Sequence, residues 1–222
     1  MIKLVAFDWN GTIIADTQTV VDCTNIQLKA FRNKKIDIKI YRQTFEIPVN
    51  KFFENIGIDP KAIGNAYRKA GDIFHFEYEK RVKRCRTRSG AKKILGWFKE
   101  AGTKSVIVSN HAANRISEQT DRLKISRYFD AILGNDTTHD SYTMKGKEKR
   151  LLEYITKNRI KPSEVLIVGD TPEEIIIAKD MGTHVAAITY GHSTITRLKA
   201  TKPDYLISDL GQIINIVRKI NS

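Results

Sequence analysis

The sequence predicts an α/β protein, a parallel sheet with helices on both faces and an all-helical insertion after its first strand. From residue 89 onward, amphipathic helical segments alternate with short β-branched runs. Strand, helix, strand, repeated, implies right-handed crossovers and a sheet covered on both sides. Residues 15–88 break that alternation, with helical periodicity and little strand signal between. These observations divide the chain into a core of residues 1–14 and 89–222 and an inserted unit of residues 15–88.

MIKLVAFD, at the start, is an apolar run ending in an acid and reads as the first strand. Within the insertion, TVVDCTNIQLKAF and KAIGNAYRKAGDIFHFEYEKRV have helical spacing. The core resumes with the helix SGAKKILGWFKEAG, ended by Gly102, and the strand KSVIVSN. A helix over ANRISEQTDRL, a short strand in YFDAIL, a helix over GKEKRLLEYITKN and the strand EVLIVGD follow. The helix TPEEIIIAKDMG, the strand HVAAITYG, and a weaker strand and helix in DYLISDLGQIINIVRK complete the order.

Composition narrows the function classes. No apolar run approaches the roughly 20 residues that cross a bilayer. The N-terminal segment meets Asp8 without a basic leader, and the expected compartment is the cytoplasm. Two cysteines, Cys23 and Cys85, are too few for a disulfide framework and lack metal-ligand spacing. The net charge of +13 peaks in KRVKRCRTR and would concentrate anions such as phosphorylated metabolites. A solvated basic surface is preferred over a nucleic-acid site, since no nucleic-acid-binding module accompanies it.

In an open parallel sheet, ligands bind beyond the carboxyl ends of the strands. MIKLVAF ends in Asp8, KSVIV in Ser109-Asn110, and EVLIV in Gly169-Asp170-Thr171. Each alone reads as a turn or a helix cap. Together they put an acid, a hydroxyl and an acid at one edge, which capping does not require and chemistry on an anion does. A carboxylate there can attack phosphorus and form an aspartyl phosphate, and Asp8 is that candidate. A hard divalent cation with oxygen ligands, Mg²⁺, would offset the charge, with Asp170 as second carboxylate ligand and Glu174 orienting a bound water. Thr12, Ser109, amides near Asn110 and one lysine would complete the phosphate cradle.

At this point the chain resembles the haloacid dehalogenase-like hydrolase superfamily and, within it, the phosphoglycolate phosphatase-like members. FDWNGT looks like the first motif, VIVSN the second, a lysine in TMKGK the third and VGDTPEEIIIAKDMG the fourth. The resemblance implies a Rossmann-like core, a small helical cap after the first motif, bound Mg²⁺ and a small phosphorylated metabolite as substrate. It makes Asp8 the nucleophile and puts Asp8, Asp170 and the Asn10 carbonyl on the metal, with Ser109 and a lysine on phosphate. Lys145 is preferred to Lys147 because Lys145-Gly146 precedes the helix. The cap stretch FEIPVNKFFENIG looks like the part facing substrate. Lys51 and Arg42 are candidate anion contacts there, weighed against solvated surface cations.

One position departs from the family pattern. Its first motif carries a second aspartate two residues after the nucleophile, where this chain has Asn10. That aspartate protonates the leaving oxygen and activates water; an amide does neither. The expectation is a slow phosphatase. Alternatives are another base such as His111 or His139, or a silent protein that binds phosphorylated ligands. Carbon–phosphorus hydrolases also lack the second aspartate but need a cap lysine, and no clear motif surrounds Lys51. Dehalogenases dispense with the metal, which Asp170 and Glu174 argue against.

Overall fold

The structure, a computed structural model, describes residues 1–136 and 146–222, with the backbone alone at residue 60 and at 62–69. Among the described residues one parallel sheet forms from β1 (Leu4–Phe7), β2 (Lys104–Ala112), β3 (Ala131–Asn135), β4 (Val165–Gly169), β5 (His184–Ile188) and β6 (Tyr205–Ile207). The order is β3-β2-β1-β4-β5-β6. This is the Rossmann order, whose direction reverses between β1 and β4.

Strand alternation splits the apolar residues between two cores. Val5, Phe7, Ile107, Leu166, Val168, Ala186 and Ile188 face one; Leu4, Ala6, Val106, Val108, Val165, Ile167, Val185 and Ala187 face the other. Successive side chains on a strand point to opposite faces, so runs buried on both sides lose the polar alternation of a half-exposed strand. The first face is covered by α5 (Ala91–Glu100), α6 (Ala113–Arg122) and α10 (Gln212–Asn221), through Ile94, Phe98, Ile116, Ile213 and Val217. The second is covered by α7 (Lys147–Lys157), α8 (Pro172–Met181) and α9 (Ile195–Ala200), through Leu151, Ile155, Ile175, Ala178 and Leu198.

Between β1 and β2 lie α1 (Thr17–Leu28), α2 (Ile38–Thr44), α3 (Val49–Asn55) and α4 (Pro60–Arg81). Entry and exit of this segment run side by side, Ala15 N donating to Arg86 O at 2.9 Å and Arg88 N to Ile13 O at 2.8 Å. Its aromatic interior, with Tyr41, Phe52, Phe53 and Tyr78 buried, is continuous with the first core.

Two expectations shift at their edges. FEIPVNKFFENIG contains the helix α3. The strand expected in YFDAIL starts only at Ala131, after a 3₁₀ turn over Ser126–Tyr128. Asp130 sets that start: its N donates to Ser105 O and its carboxylate accepts from Ser105 N, both at 2.8 Å.

Candidate active site

β1 and β4 are neighbours in register, Phe7 opposite Val168, and Asp8 N donates to Val168 O at 2.8 Å. The residues that leave these strands, Asp8 and Asp170, therefore emerge together at the switch point. Both are buried. Asp170 is held from several sides: Oδ1 accepts from the Thr12 hydroxyl at 2.8 Å, and Oδ2 accepts from the His192 backbone N–H. Gly11 and Gly191 allow this packing, because a Cβ at either would collide with Asp170 Oδ2. Thr12, expected on phosphate, is itself fully buried and spends its hydroxyl on Asp170.

α8 begins with Thr171 as its cap, Pro172 in the first turn and a reciprocal capping box with Glu174, an arrangement that satisfies two orphan N–H donors. That box aims Glu174 inward, not toward solvent. Its Oε2 accepts from Thr171 N and Oγ1 at 3.1 and 2.6 Å, and its Oε1 meets Lys147 Nζ in a short ion pair. Glu174, expected to orient a bound water, here forms an ion pair.

Lys147 is the cation of the site. Its Nζ lies 2.7 Å from Asp8 Oδ1 and 3.2 Å from Glu173 Oε2, besides Glu174. Burial disfavours its charge, but Asp8, Glu174 and Glu173 outweigh this and hold its pKa well above the usual lysine range. Burial pushes Asp8 well above the usual carboxylate range; Lys147 pulls the other way, and Glu174 and Asp170 add to the rise. Asp170 is likewise raised by burial, with His192 partly offsetting it. Lys145, the lysine preferred from sequence, lies outside the described residues, as does His139.

Asn10 has a definite task. Its Nδ2 donates to Asp16 Oδ2 and to Tyr78 Oη, each at 2.7 Å, while Tyr78 Oη donates to Asp16 Oδ2 at 2.6 Å. A carboxylate only accepts, so the amide must turn its NH₂ toward Asp16. Gly11 N adds a third donation to Asp16, to Oδ1 at 2.8 Å. Burial would raise Asp16, but His192, Tyr78 and Asn10 bring it below its ordinary value. His192 is buried, 3.7 Å from Asp16 Oδ1 through Nε2 and 2.8 Å from Tyr41 Oη through Nδ1; its pKa is raised because Asp16 and Asp170 outweigh desolvation. Trp9, next to the acid, is fully buried with its indole N–H on Gln119 Oε1 at 2.7 Å, which anchors the loop against α6.

Ser109 and Asn110 line the same cavity as Asp8. Ser109 Oγ accepts from His111 N at 3.1 Å, and Asn110 Nδ2 donates to Glu173 Oε2 at 2.9 Å. The two cap cations are placed elsewhere. Arg42 donates to Gly191 O at 2.8 Å and Tyr190 O at 2.7 Å, fastening α2 to the core, and Lys51 sits at the surface 3.8 Å from Glu46. His111 pairs with Glu79 at 3.3 Å.

Among the described residues no group of three or more His, Cys, Asp or Glu is placed to hold a metal ion. What the switch point offers is two buried carboxylates, Asp8 and Asp170. The set suits a hard cation: all donors are oxygen, and Asp8 and Asp170 are buried close enough for Asp170 to raise Asp8, a repulsion that a divalent charge relieves.

Asp16, Tyr78 and His192 were not singled out as site residues from the sequence, and Lys147 was weighed there only as the alternative to Lys145. Asp16 had one usable signal, its place eight residues after Asp8 on the same loop. Tyr78 and His192 had none, being brought in from the last turn of α4 and from a loop after β5.

The family model described as haloacid dehalogenase-like hydrolase matches residues 5–188. A phosphoglycolate phosphatase of Photobacterium profundum is 24% identical, covering 98% of this chain and 96% of the relative. A proposed pyrophosphatase of Caldanaerobacter subterraneus is 26% identical over 98% and 95%. A haloacid dehalogenase-like family protein from Streptococcus pneumoniae superimposes with a TM-score of 0.82 at 18% identity, over 97% of this chain and 98% of that one. With its Rossmann sheet, its first acid at the end of β1 and a model match across most of its length, the chain belongs to the haloacid dehalogenase-like hydrolase family.

Proposed function

We propose that this chain is a Mg²⁺-dependent phosphatase of small phosphomonoesters that works through a phosphoryl group carried on Asp8. The observation that supports it best is the convergence of Asp8, Asp170 and Lys147 at the switch point, with Lys147 Nζ 2.7 Å from Asp8. Names of relatives agree, one a phosphoglycolate phosphatase. Asp8, Asp170 and the Asn10 carbonyl would hold the ion, which when bound neutralises phosphoryl and carboxylate charge together.

Lys147 holds one oxygen of Asp8, and the other attacks phosphorus. An oxygen–phosphorus bond forms on Asp8 as the bond to the alcohol breaks, and the alcohol carries away the electron pair. Ser109 Oγ and the amides near Asn110 bind the phosphoryl oxygens, with Lys147 in the cation role expected of the family's lysine. Water then attacks the phosphorus, releasing phosphate and restoring Asp8. The segment 15–88 serves as the cap that closes over these steps and excludes water. Asn10 supplies no proton to the alcohol and takes none from water, so both steps are slowed. Poorly basic leaving groups escape the first penalty only, and the phosphoryl group accumulates on Asp8.

The test is phosphate release from phenyl phosphate with Mg²⁺ and with a chelator, together with acid-quench mass spectrometry. A chelator-sensitive release and a phosphate adduct on Asp8 are expected; turnover with no adduct would overturn the covalent route. A silent ligand-binding role is the second reading, favoured by the locking of Asn10 onto Asp16. No release from either this chain or Asn10→Asp, with phenylphosphonate still bound, would favour it.

A further inference from the structure

A cavity of about 140 Å³ opens over Asp8, Ser109 and Lys147 and is closed on the opposite side by Val20, Tyr41, Phe45, Ile47, Val49 and Phe74. Behind it lies a second cavity of about 70 Å³, which shares Val20, Phe45, Val49, Phe74 and His75 with the first and ends at Thr24 and Gln27. Lys147 is the only lysine or arginine among the described residues that lines either space, and three carboxylates already surround it. The cations nearest the junction are engaged. Arg42 gives its N–H groups to Tyr190 and Gly191, Arg197 donates to Phe45 O at 2.6 Å, Arg88 donates to Gly11 O, and Lys51 faces Glu46.

Three histidines line the spaces, His75 on the shared wall, His111 paired with Glu79 and His192 with Asp16, so a second anionic group on the substrate, carried by the departing alcohol, would be buried against valine, isoleucine and phenylalanine with no further lysine or arginine among the described residues to pair with it. Burying an unpaired charge costs several kcal/mol in proteins. An apolar group gains in the same place. A cavity of roughly 150 Å³ with apolar walls takes one benzene ring, so these two spaces suit a phosphoryl group with a single ring or short chain. The far end is not wholly apolar: Gln27 is buried, and its Nε2 has no hydrogen-bond partner among the described residues. A buried donor of that kind calls for an acceptor.

We propose that the substrate is a phosphomonoester whose phosphate is its only anionic group and whose alcohol is an apolar ring or chain with a hydrogen-bond acceptor at its far end, meeting Gln27. The inference rests on the phosphatase reading of Asp8 and sets this chain apart from relatives named for phosphoglycolate and pyrophosphate, whose leaving groups are themselves anions.

Titration calorimetry of the full chain with Mg²⁺ tests it through phosphonates that the enzyme cannot hydrolyse. Phenylphosphonate should bind about tenfold more tightly than phosphonoacetate or methylenediphosphonate. 4-Acetylphenylphosphonate should bind more tightly still, an advantage that Gln27→Leu removes. Equal or tighter binding of phosphonoacetate or methylenediphosphonate overturns the proposal, and so does failure of phenylphosphonate to bind. An acetyl group that gains nothing overturns the part assigned to Gln27. Phosphate release from benzyl phosphate and 2-phosphoglycolate runs in parallel. Release from neither, with phenylphosphonate still preferred, rejects the phosphatase reading and keeps the pocket chemistry; faster release from 2-phosphoglycolate rejects the pocket chemistry and keeps the phosphatase.

Discussion

The two walls of the chamber are built on opposite principles. The sheet edge packs Asp8, Glu173 and Glu174 around one lysine, with Asp170 buried beside Asp8, whereas the inserted segment faces it with Val20, Tyr41, Phe45, Ile47, Val49 and Phe74. Charges on the first wall are worth more because the second excludes water. Under the proposed function this assigns phosphoryl chemistry to the core and choice of leaving group to the insertion.

The sharpest way to break that contrast is at the nucleophile. Asp8→Asn should lower phosphate release by a factor on the order of 10⁴ or more, while calorimetry shows phenylphosphonate binding largely kept. Lys147→Met should come next, since it leaves three buried carboxylates without their cation. Urea unfolding is expected to show a loss of about 3–5 kcal/mol, as for other broken buried ion pairs, against about 1 kcal/mol for Val49→Ala on the opposite wall.

Asn10→Asp sharpens the contrast from the other direction. The new carboxyl would face Asp16, two acids cannot both ionise at that separation, and the proton they share is available to the leaving alcohol. A gain in kcat of about 10²- to 10⁴-fold is expected, read by steady-state phosphate release. Tyr78→Phe keeps the apolar wall and deletes the hydroxyl on Asp16. It should cost about 1.5–3 kcal/mol of stability, the worth of a hydrogen bond to a charged group, again by urea unfolding.

The smallest effect is expected at the rim. Burial would raise Glu79, but His111 outweighs it and lowers the pKa. A folded pKa below the unfolded one adds stability that is present above the unfolded value and fades as pH falls through the folded one. Glu79→Gln should therefore lower thermal stability slightly near neutral pH, with the two proteins converging as pH falls through the folded pKa, which flattens the acid limb.

Much of the sheet edge was legible because strand ends are local events. Each of KLVAF, KSVIV and EVLIV is a buried run whose last apolar residue marks where a polar one must emerge, and Asp8, Ser109 and Asp170 follow directly. Lys147 was not. Choosing between two lysines separated by a glycine depends on where α7 begins, and it begins at Lys147 itself. Side chains of a helix lean toward its N-terminus, so a lysine in the first position reaches back over the strand ends. Arg42 and Lys51 were open between two readings for a similar reason: a cation in a cap sequence carries no mark of whether it faces the chamber, the core carbonyls or solvent.

Local pattern alone was enough for the architecture, since hydrophobic periodicity and helix caps act over a few residues and are written into neighbouring positions. Folding alone decided that Asn10 would join Tyr78 and Asp16, that His192 would back Asp170, and that Lys147 would meet Asp8. Those contacts link positions 68, 22 and about 139 residues apart, a separation over which periodicity carries no information and only the packing of one element against another decides which side chains meet.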